Sequence, residues 1–485
     1  MSRHQRLTLV AAILGSAVAG IDASIVNVAL PAIERDLGGG LPAQQWVSNA
    51  YLLALGSLIL IGGSLGDIYG ERRVFTLGVA AFGLISVVCA LAPTMDILIA
   101  ARALQGAAGA LVTPSSLAII VAAFSQEQRG AAIGSWTAWG AISSIVGPLV
   151  GGWIVDVSTW RLIFALNVPL VIAAIFLILA AVPPSERVSG RRLDVTGALL
   201  CALGLAGFVY ALIEQPRYGW GDPMILVTLL GGIGLFAAFL VHERRTPEPM
   251  LPLGLFRRRN FAVGNGETLA MYAGLSILFF FLVIYLQQVA GYTALESGLT
   301  TLPVTLVMFA LSRRFGALAD RLGPRLFMGA GPFVAAGGIL LLLGTGREVA
   351  YLTDLLPALL LFSLGLSMTV APLTATVLAD ADERDAGIAS AVNNAVARVA
   401  GLIGISAMGV VVASTLAGDT FAPNQDSVDA FHEVVVVCAV LVAAGGVAGL
   451  LGIVNPRRAL EAQRCPGGQL VGAPEQAGDE TSAAA

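Results

Sequence analysis

The sequence predicts an all-α membrane protein of fourteen spanning helices, and three observations carry that expectation. Of its 485 residues, 57% are hydrophobic and only 12% are charged, with a mean hydropathy of +0.84. A soluble domain carries about 25% charged residues, and a chain this apolar has too few polar groups to cover itself in water. The apolar residues also fall into runs of about 20, the length a helix needs to cross a ~30 Å hydrocarbon core. Finally, one string recurs at an interval of 253 residues, so the chain reads as two related halves.

The runs begin near Leu7, Trp46, Val74, Ile97, Ala131, Leu162, Val195, Met224, Phe261, Gly298, Phe327, Leu355, Ala386 and Val434. The tenth, Gly298 to Leu311, is the shortest and needs its flanks to span. The first resembles a signal peptide, with Arg3 and Arg6 before the apolar stretch and Ala17-Val18-Ala19 as a cleavage-like site. The apolar run resumes through Ile25 to Leu30, however, and makes one long helix with Asp22 inside it.

All 27 basic residues are Arg. Taking the N-terminus as cytoplasmic, 21 fall in cytoplasmic segments and four (Arg35, Arg161, Arg217, Arg347) in outer loops, while Arg102 and Arg398 lie within spans. This positive-inside bias puts both termini in the cytoplasm, as an even helix count requires. Absence of Lys, with 57 Gly, suggests GC-rich codons and a bacterial cytoplasmic membrane. It also removes the lysine of a phosphate-binding loop, so no ATP is expected, and no nucleic-acid partner. Cys89, Cys201, Cys438 and Cys465 are scattered and read as inert, and His4, His242 and His432 lack metal-ligand spacing; no metal is expected. Gly62-Gly-Ser64-Leu-Gly66 fits the hydrolase elbow G-x-S-x-G, but it ends a membrane span, without strand context or a nearby His.

The repeat is Gly63-Ser-Leu65-Gly-Asp67-Ile-Tyr-Gly70, which recurs as Gly316-Ala-Leu318-Ala-Asp320-Arg-Leu-Gly323. It divides the chain into an N-terminal six-helix half (1–183), an insertion with spans seven and eight (184–253), a C-terminal six-helix half (254–455) and a polar tail (456–485) expected to be disordered. Two parallel six-helix halves are a transporter architecture.

Five strings, in order and each at its own span, resemble the major facilitator superfamily in its fourteen-helix drug:proton antiporter branch. They are Ile21-Asp22 through Asn27 to Pro31 in span one, Gly63 to Arg72-Arg73 between spans two and three, and Arg102-Ala-Leu-Gln105-Gly106-Ala-Ala-Gly109 in span four. Gly147-Pro148-Leu-Val-Gly151-Gly152 in span five and Trp160-Arg161 with Asn167-Val-Pro169 at span six complete the set. The resemblance implies a major facilitator fold, two six-helix halves plus two extra central helices. It implies a proton-coupled exporter of hydrophobic, often cationic, small molecules such as drugs or antibiotics, acting as a monomer with protons as coupling ion and no other cofactor.

The residues supply their own physical reading. Gly63 and Gly70 suit tight turns. Asp67 ends a helix at the cytoplasmic face, where its charge meets a helix N-terminus or an Arg of the other half, and Arg72 and Arg73 suit anionic headgroups. The pattern reads as an inner latch or as a solvated turn with topogenic charge. Asp22 and Arg102 lie at similar depth, about 15 and about 5 residues into oppositely directed helices, so they can approach. Burial works against a carboxylate's charge and a nearby Arg works for it; a carboxyl balanced between the two can carry protons, or the pair can be a static tie. Arg102, Gln105, Gly106, Gly109 and Thr113 share one helical stripe. Pro148 among Gly147, Gly151 and Gly152 suggests a bend with close helix contact. Glu267, beside Asn265, and Arg398, a turn beyond Asn393 and Asn394, are further intramembrane charges and proton-coupling candidates, although Glu267 is shallow enough to meet cytoplasmic water. Trp136 and Trp139 suit stacking on a flat or cationic ligand, and suit packing equally. A dedicated exporter of one metabolite or self-made antibiotic is the alternative function. A sensor or membrane-embedded enzyme would need a soluble domain or a nucleophile–base–metal set, and none is legible.

Overall fold

The computed structural model describes residues 1–183, 193–380, 386–416, 418 and 420–455; the expected polar tail lies outside these. Among them are 14 helices long and apolar enough to cross a membrane. Spans 1 to 6 are Arg3–Leu37, Gly40–Tyr69, Glu71–Ala90, Met95–Ala123, Gln128–Val157 and Arg161–Ala181. Spans 7 and 8 are Val195–Tyr218 and Pro223–Arg245. Spans 9 to 14 are Arg259–Gln288, Ala294–Leu322, Pro324–Gly344, Tyr351–Ala379, Gly387–Thr415 and Gln425–Gly452. The short tenth run obtains its length from both flanks, from Ala294 and out to Leu322.

Polar residues at the helix ends satisfy backbone donors that lipid cannot. Ser2 and Gln5 form a capping box at span 1, each side chain accepting from the other's backbone N–H. Asp222 accepts from the N–H groups of Met224 and Ile225, with Pro223 opening span 8. The repeated string makes the same turn twice. Gly70 and Gly323, 253 residues apart, end spans 2 and 10 at φ of 92° and 94°, a region that favours glycine.

Small residues bring the helices close. A Cβ on Gly62 would lie 2.0 Å from the Ala110 carbonyl oxygen, and one on Gly106 would lie 2.3 Å from that of Tyr51, so spans 2 and 4 touch backbone to backbone. Gly338 and Gly365 do the same for spans 11 and 12, and Gly204 and Gly232 for spans 7 and 8. The inserted pair covers the seam between the halves. Trp46 of span 2 donates to Glu214 of span 7 (2.8 Å), and Val209 and Ile213 pack with Leu402 of span 13.

Among the described residues, the hydrogen bonds between the two halves lie at the end of the bundle away from residue 3. The Asp156 carboxylate of span 5 accepts from Ala294 and Leu295 N–H at the start of span 10 (both 2.9 Å). Gln287 donates to the Val28 carbonyl (2.9 Å), Gln45 to that of Ile405 (2.6 Å), and Asn49 to Ser406 (2.9 Å). At the same end a Cβ on Gly152 would meet the Leu295 Cα at 2.6 Å, and one on Gly298 the Pro148 carbonyl oxygen at 2.7 Å. This end is sealed by close backbone contact.

Candidate functional site

Span 1 carries Asp22 into the interior of the N-terminal half, where it is fully buried, and span 4 brings Arg102 to it. Arg102 Nη1 donates to Asp22 Oδ2 at 2.5 Å and to Gln105 Oε1 at 2.6 Å. The other carboxylate oxygen accepts from Gln105 Nε2 (3.0 Å) and from Asn167 Nδ2 of span 6 (2.8 Å). Both amides also donate to Ser86 Oγ of span 3, at 2.9 and 3.2 Å. Arg102 Nε reaches the Val47 carbonyl of span 2 (3.2 Å), and its guanidinium lies 4.4 Å over the Tyr51 ring.

Charge, amide, hydroxyl and ring from five spans therefore meet with almost no water contact. An unpaired ion in such a place is prohibitively costly; here three donors hold the carboxylate and the arginine has acceptors and a π face. The expected approach of Asp22 and Arg102 is thus a direct ion pair within a network. The stripe on span 4 acquires a reason as well. Gly106 clears the Tyr51 backbone and Gly109 lies 3.3 Å, at its notional Cβ, from the Tyr51 hydroxyl, so the two glycines seat the tyrosine that covers Arg102.

The span 5 glycines split between two neighbours. A Cβ on Gly147 would clash with Ser24 and the Ile21 carbonyl, and one on Gly151 with Ile25, while Gly152 faces span 10. Ile21, Ser24 and Ile25 flank Asp22, so span 5 rests on the stretch of span 1 that carries the acid. The turn expected at Gly63 is not there: Gly63 and Gly316 lie within the helices of spans 2 and 10, and the positive-φ turns fall at Gly70 and Gly323. The notional Cβ atoms of Gly63 and Gly316 stand 3.7 Å from Pro114 and from Ala371, a symmetric placement. Asp67 is half-buried; Asp320 and Arg73 are exposed. Arg72 donates to the Leu179 carbonyl at the end of span 6 (3.0 Å).

The remaining candidates are not gathered into one place. Glu267 is 0% exposed, so its shallow depth does not bring it to water. Neither carboxyl oxygen has a hydrogen-bond partner among the described residues, and the group faces span 14, where Gly445 and Gly449 leave it room. Asn393 donates to Asn265 (3.2 Å) and Thr268 (2.9 Å) of span 9, whereas exposed Asn394 bonds within its own helix. Asn27 accepts from Ser48 (3.3 Å). Trp136 donates to Ser16 of span 1 (2.9 Å) and packs against the cluster around Leu9 and Ile120, while Trp139 is 52% exposed. Arg398 is exposed between the halves.

Sequence reasoning missed Tyr51 and Ser86, and it quoted Asn167 only as part of a string. Asn167 was findable as a polar residue in an otherwise apolar run; Ser86 carries no signal that separates it from any intrahelical serine.

Two six-helix halves with a buried charge network and a sealed end define a membrane transporter of the alternating, two-lobed kind. Solved transporters share this fold. A bacterial homologue of the human lysosomal transporter Spinster, in an inward-facing and unoccupied conformation, superposes with a TM-score of 0.67 at 16% identity, covering 93% of this chain and 97% of that one. A D-xylose–proton symporter gives 0.65 at 14% identity, covering 93% and 98%. The Major Facilitator Superfamily model matches residues 12–405, and the chain belongs to that family, in its fourteen-helix drug-efflux branch; it is a transporter and not an enzyme. It is 35% identical over 427 residues to the multidrug resistance protein Stp of Mycobacterium tuberculosis, covering 88% of this chain and 79% of the relative. It is 37% identical over 400 residues to the puromycin resistance protein pur8 of Streptomyces alboniger (81% and 78%). It is 34% identical over 422 residues to the cephamycin export protein CmcT of Amycolatopsis lactamdurans (86% of each).

Proposed function

We propose that this protein is a secondary exporter of hydrophobic small molecules, drugs and antibiotics among them, driven by protons entering the cell through Asp22. The observation that carries this reading is the fully buried Asp22 carboxylate held by Arg102, Gln105 and Asn167. Adding a proton removes the charge those donors serve and frees spans 4 and 6 from span 1. Span 5 rests on the same stretch through Gly147 and Gly151, and it seals against span 10 through Gly152 and Asp156. A change at Asp22 thereby reaches the sealed end through direct contacts. Arg102 sets the proton affinity, because among the described residues it is the cation that touches the acid. The Gly63–Arg73 turn and its Gly316–Gly323 counterpart gate the opposite end, which faces the cytoplasm together with both termini.

The energetics suffice without ATP. One charge moved through ~150 mV supplies ~3.5 kcal/mol, which sustains a gradient of a few hundredfold at about 1.4 kcal/mol per tenfold. The named activities of the relatives, multidrug resistance for one and export of a single antibiotic for another, leave the breadth of cargo to be measured. A susceptibility panel in a host stripped of its own pumps tests the reading. Expression should protect against several unrelated hydrophobic compounds; protection against one alone would assign a dedicated exporter, and protection against none would refute export.

A further inference from the structure

Arg398, like Glu267, is an intramembrane charge that the proton reading does not use. It stands 11 residues into span 13, about 16 Å at 1.5 Å per residue and thus near the middle of a ~30 Å core. Its Cβ lies 3.3 Å from the notional Cβ of Gly56 on span 2 of the other half. That contact, between span 13 of one half and span 2 of the other, places the root of the side chain where the halves meet. The side chain is exposed there, with exposed Asn394 one turn away.

No acid within the membrane is available to it. Asp22 is taken up by Arg102, Gln105 and Asn167, and Glu267 faces span 14 on the far side of span 9. Among the described residues Arg398 makes no ion pair. Arginine stays charged in proteins and presents a planar fork that fits carboxylates two bonds at a time. A charged side chain at this depth, exposed where the halves meet, belongs by default to the solute pathway. Its depth separates it from lipid headgroups, which lie outside the hydrocarbon core.

We infer that Arg398 docks an acidic group on the cargo, a carboxylate or an ionised phenol or enol, with Asn394 one turn away on the same helix. This rests on the exporter reading and narrows it: acidic aromatic compounds are among the preferred cargo. Exchange of a monoanion leaving for a proton entering also moves two charges, so the membrane potential drives such cargo twice as strongly as a neutral one.

The test is equilibrium binding to the purified full chain in detergent, using three aromatic acids and their primary amides: 2-naphthoic, 9-anthroic and 1-pyrenebutyric. Wild type should prefer the acid over its amide by about tenfold or more in at least one pair, the scale of a charge-assisted hydrogen bond. Arg398→Gln should erase that preference while leaving amide binding unchanged, which also reports that the variant is folded. If Arg398→Gln fails to fold, Arg398→Lys, which keeps the charge and loses the fork, should keep only part of the preference. Absence of acid preference in every wild-type pair, a wild type that binds none of them, or a preference that survives Arg398→Gln would each overturn the assignment. Drug protection by wild type in the susceptibility panel is read separately, so failure here leaves export standing and failure there does not depend on Arg398.

Discussion

The two halves of this molecule treat buried charge in opposite ways. In the N-terminal half, Asp22 and Arg102 are paired, hydrogen-bonded and closed off by Tyr51, with Gln105, Ser86 and Asn167 completing the shell. In the C-terminal half, Glu267 is buried with neither oxygen bonded among the described residues, and Arg398 stands exposed between the lobes. The halves share a sequence repeat and a turn geometry, yet they do not share a charge network. A gene repeat conserves where helices lie and how they turn, while the chemistry can reside in one copy. On the proposed reading, the N-terminal half holds the proton machinery and the C-terminal half supplies the surface that meets cargo.

Removing one member of the pair should have the largest effect. Arg102→Ala leaves the Asp22 carboxylate buried beside two amides without its cation, a loss of about 3–5 kcal/mol for a broken buried ion pair. The purified variant should unfold at a clearly lower temperature than wild type. Adding Asp22→Asn to it should recover much of the loss, because the uncompensated charge is gone and the two changes are not additive. A double variant no more stable than Arg102→Ala would show that the pair is not the element holding the network.

Next comes the sealed end. Gly152→Val places side-chain atoms where the Leu295 Cα and the Ala294 carbonyl oxygen stand, and backbone cannot yield cheaply. A cost of about 1–3 kcal/mol is expected from overpacking, together with loss of drug protection at near-normal membrane abundance. Full protection by Gly152→Val would mean that spans 5 and 10 need not close during transport.

The smallest effect belongs to Glu267→Gln. No donor among the described residues depends on that carboxyl, and the change is isosteric, so stability should move by less than about 0.5–1 kcal/mol. Drug protection should match wild type. A large loss of protection would transfer proton coupling to the C-terminal half.

Much of this was legible in the sequence because it follows from counting along helices. Span number follows from apolar length, and the common depth of Asp22 and Arg102 follows from their positions in oppositely running helices. The close contacts of Gly106, Gly147 and Gly152 follow from the absence of a side chain. What sequence could not supply is azimuth. Which way Glu267 points depends on Gly445 and Gly449, almost two hundred residues away, and depth alone suggested contact with cytoplasmic water. Trp136 and Trp139 lie three residues apart on one helix, yet one bonds Ser16 and the other is open. Ser86 and Asn167 join the network from spans 3 and 6, whose runs are otherwise apolar, and a single hydroxyl or amide in such a run has many uses.

The most direct measurement follows protons rather than stability. Inverted vesicles are acidified inside, a compound identified by the susceptibility panel is added, and the pH gradient is recorded for wild type, Asp22→Asn and Glu267→Gln at matched protein levels. Wild type and Glu267→Gln should both discharge the gradient as cargo exchanges for protons. Asp22→Asn, which has no proton to give, should leave it intact. An Asp22→Asn protein that still discharges the gradient on addition of cargo would contradict the assignment of coupling to the N-terminal network.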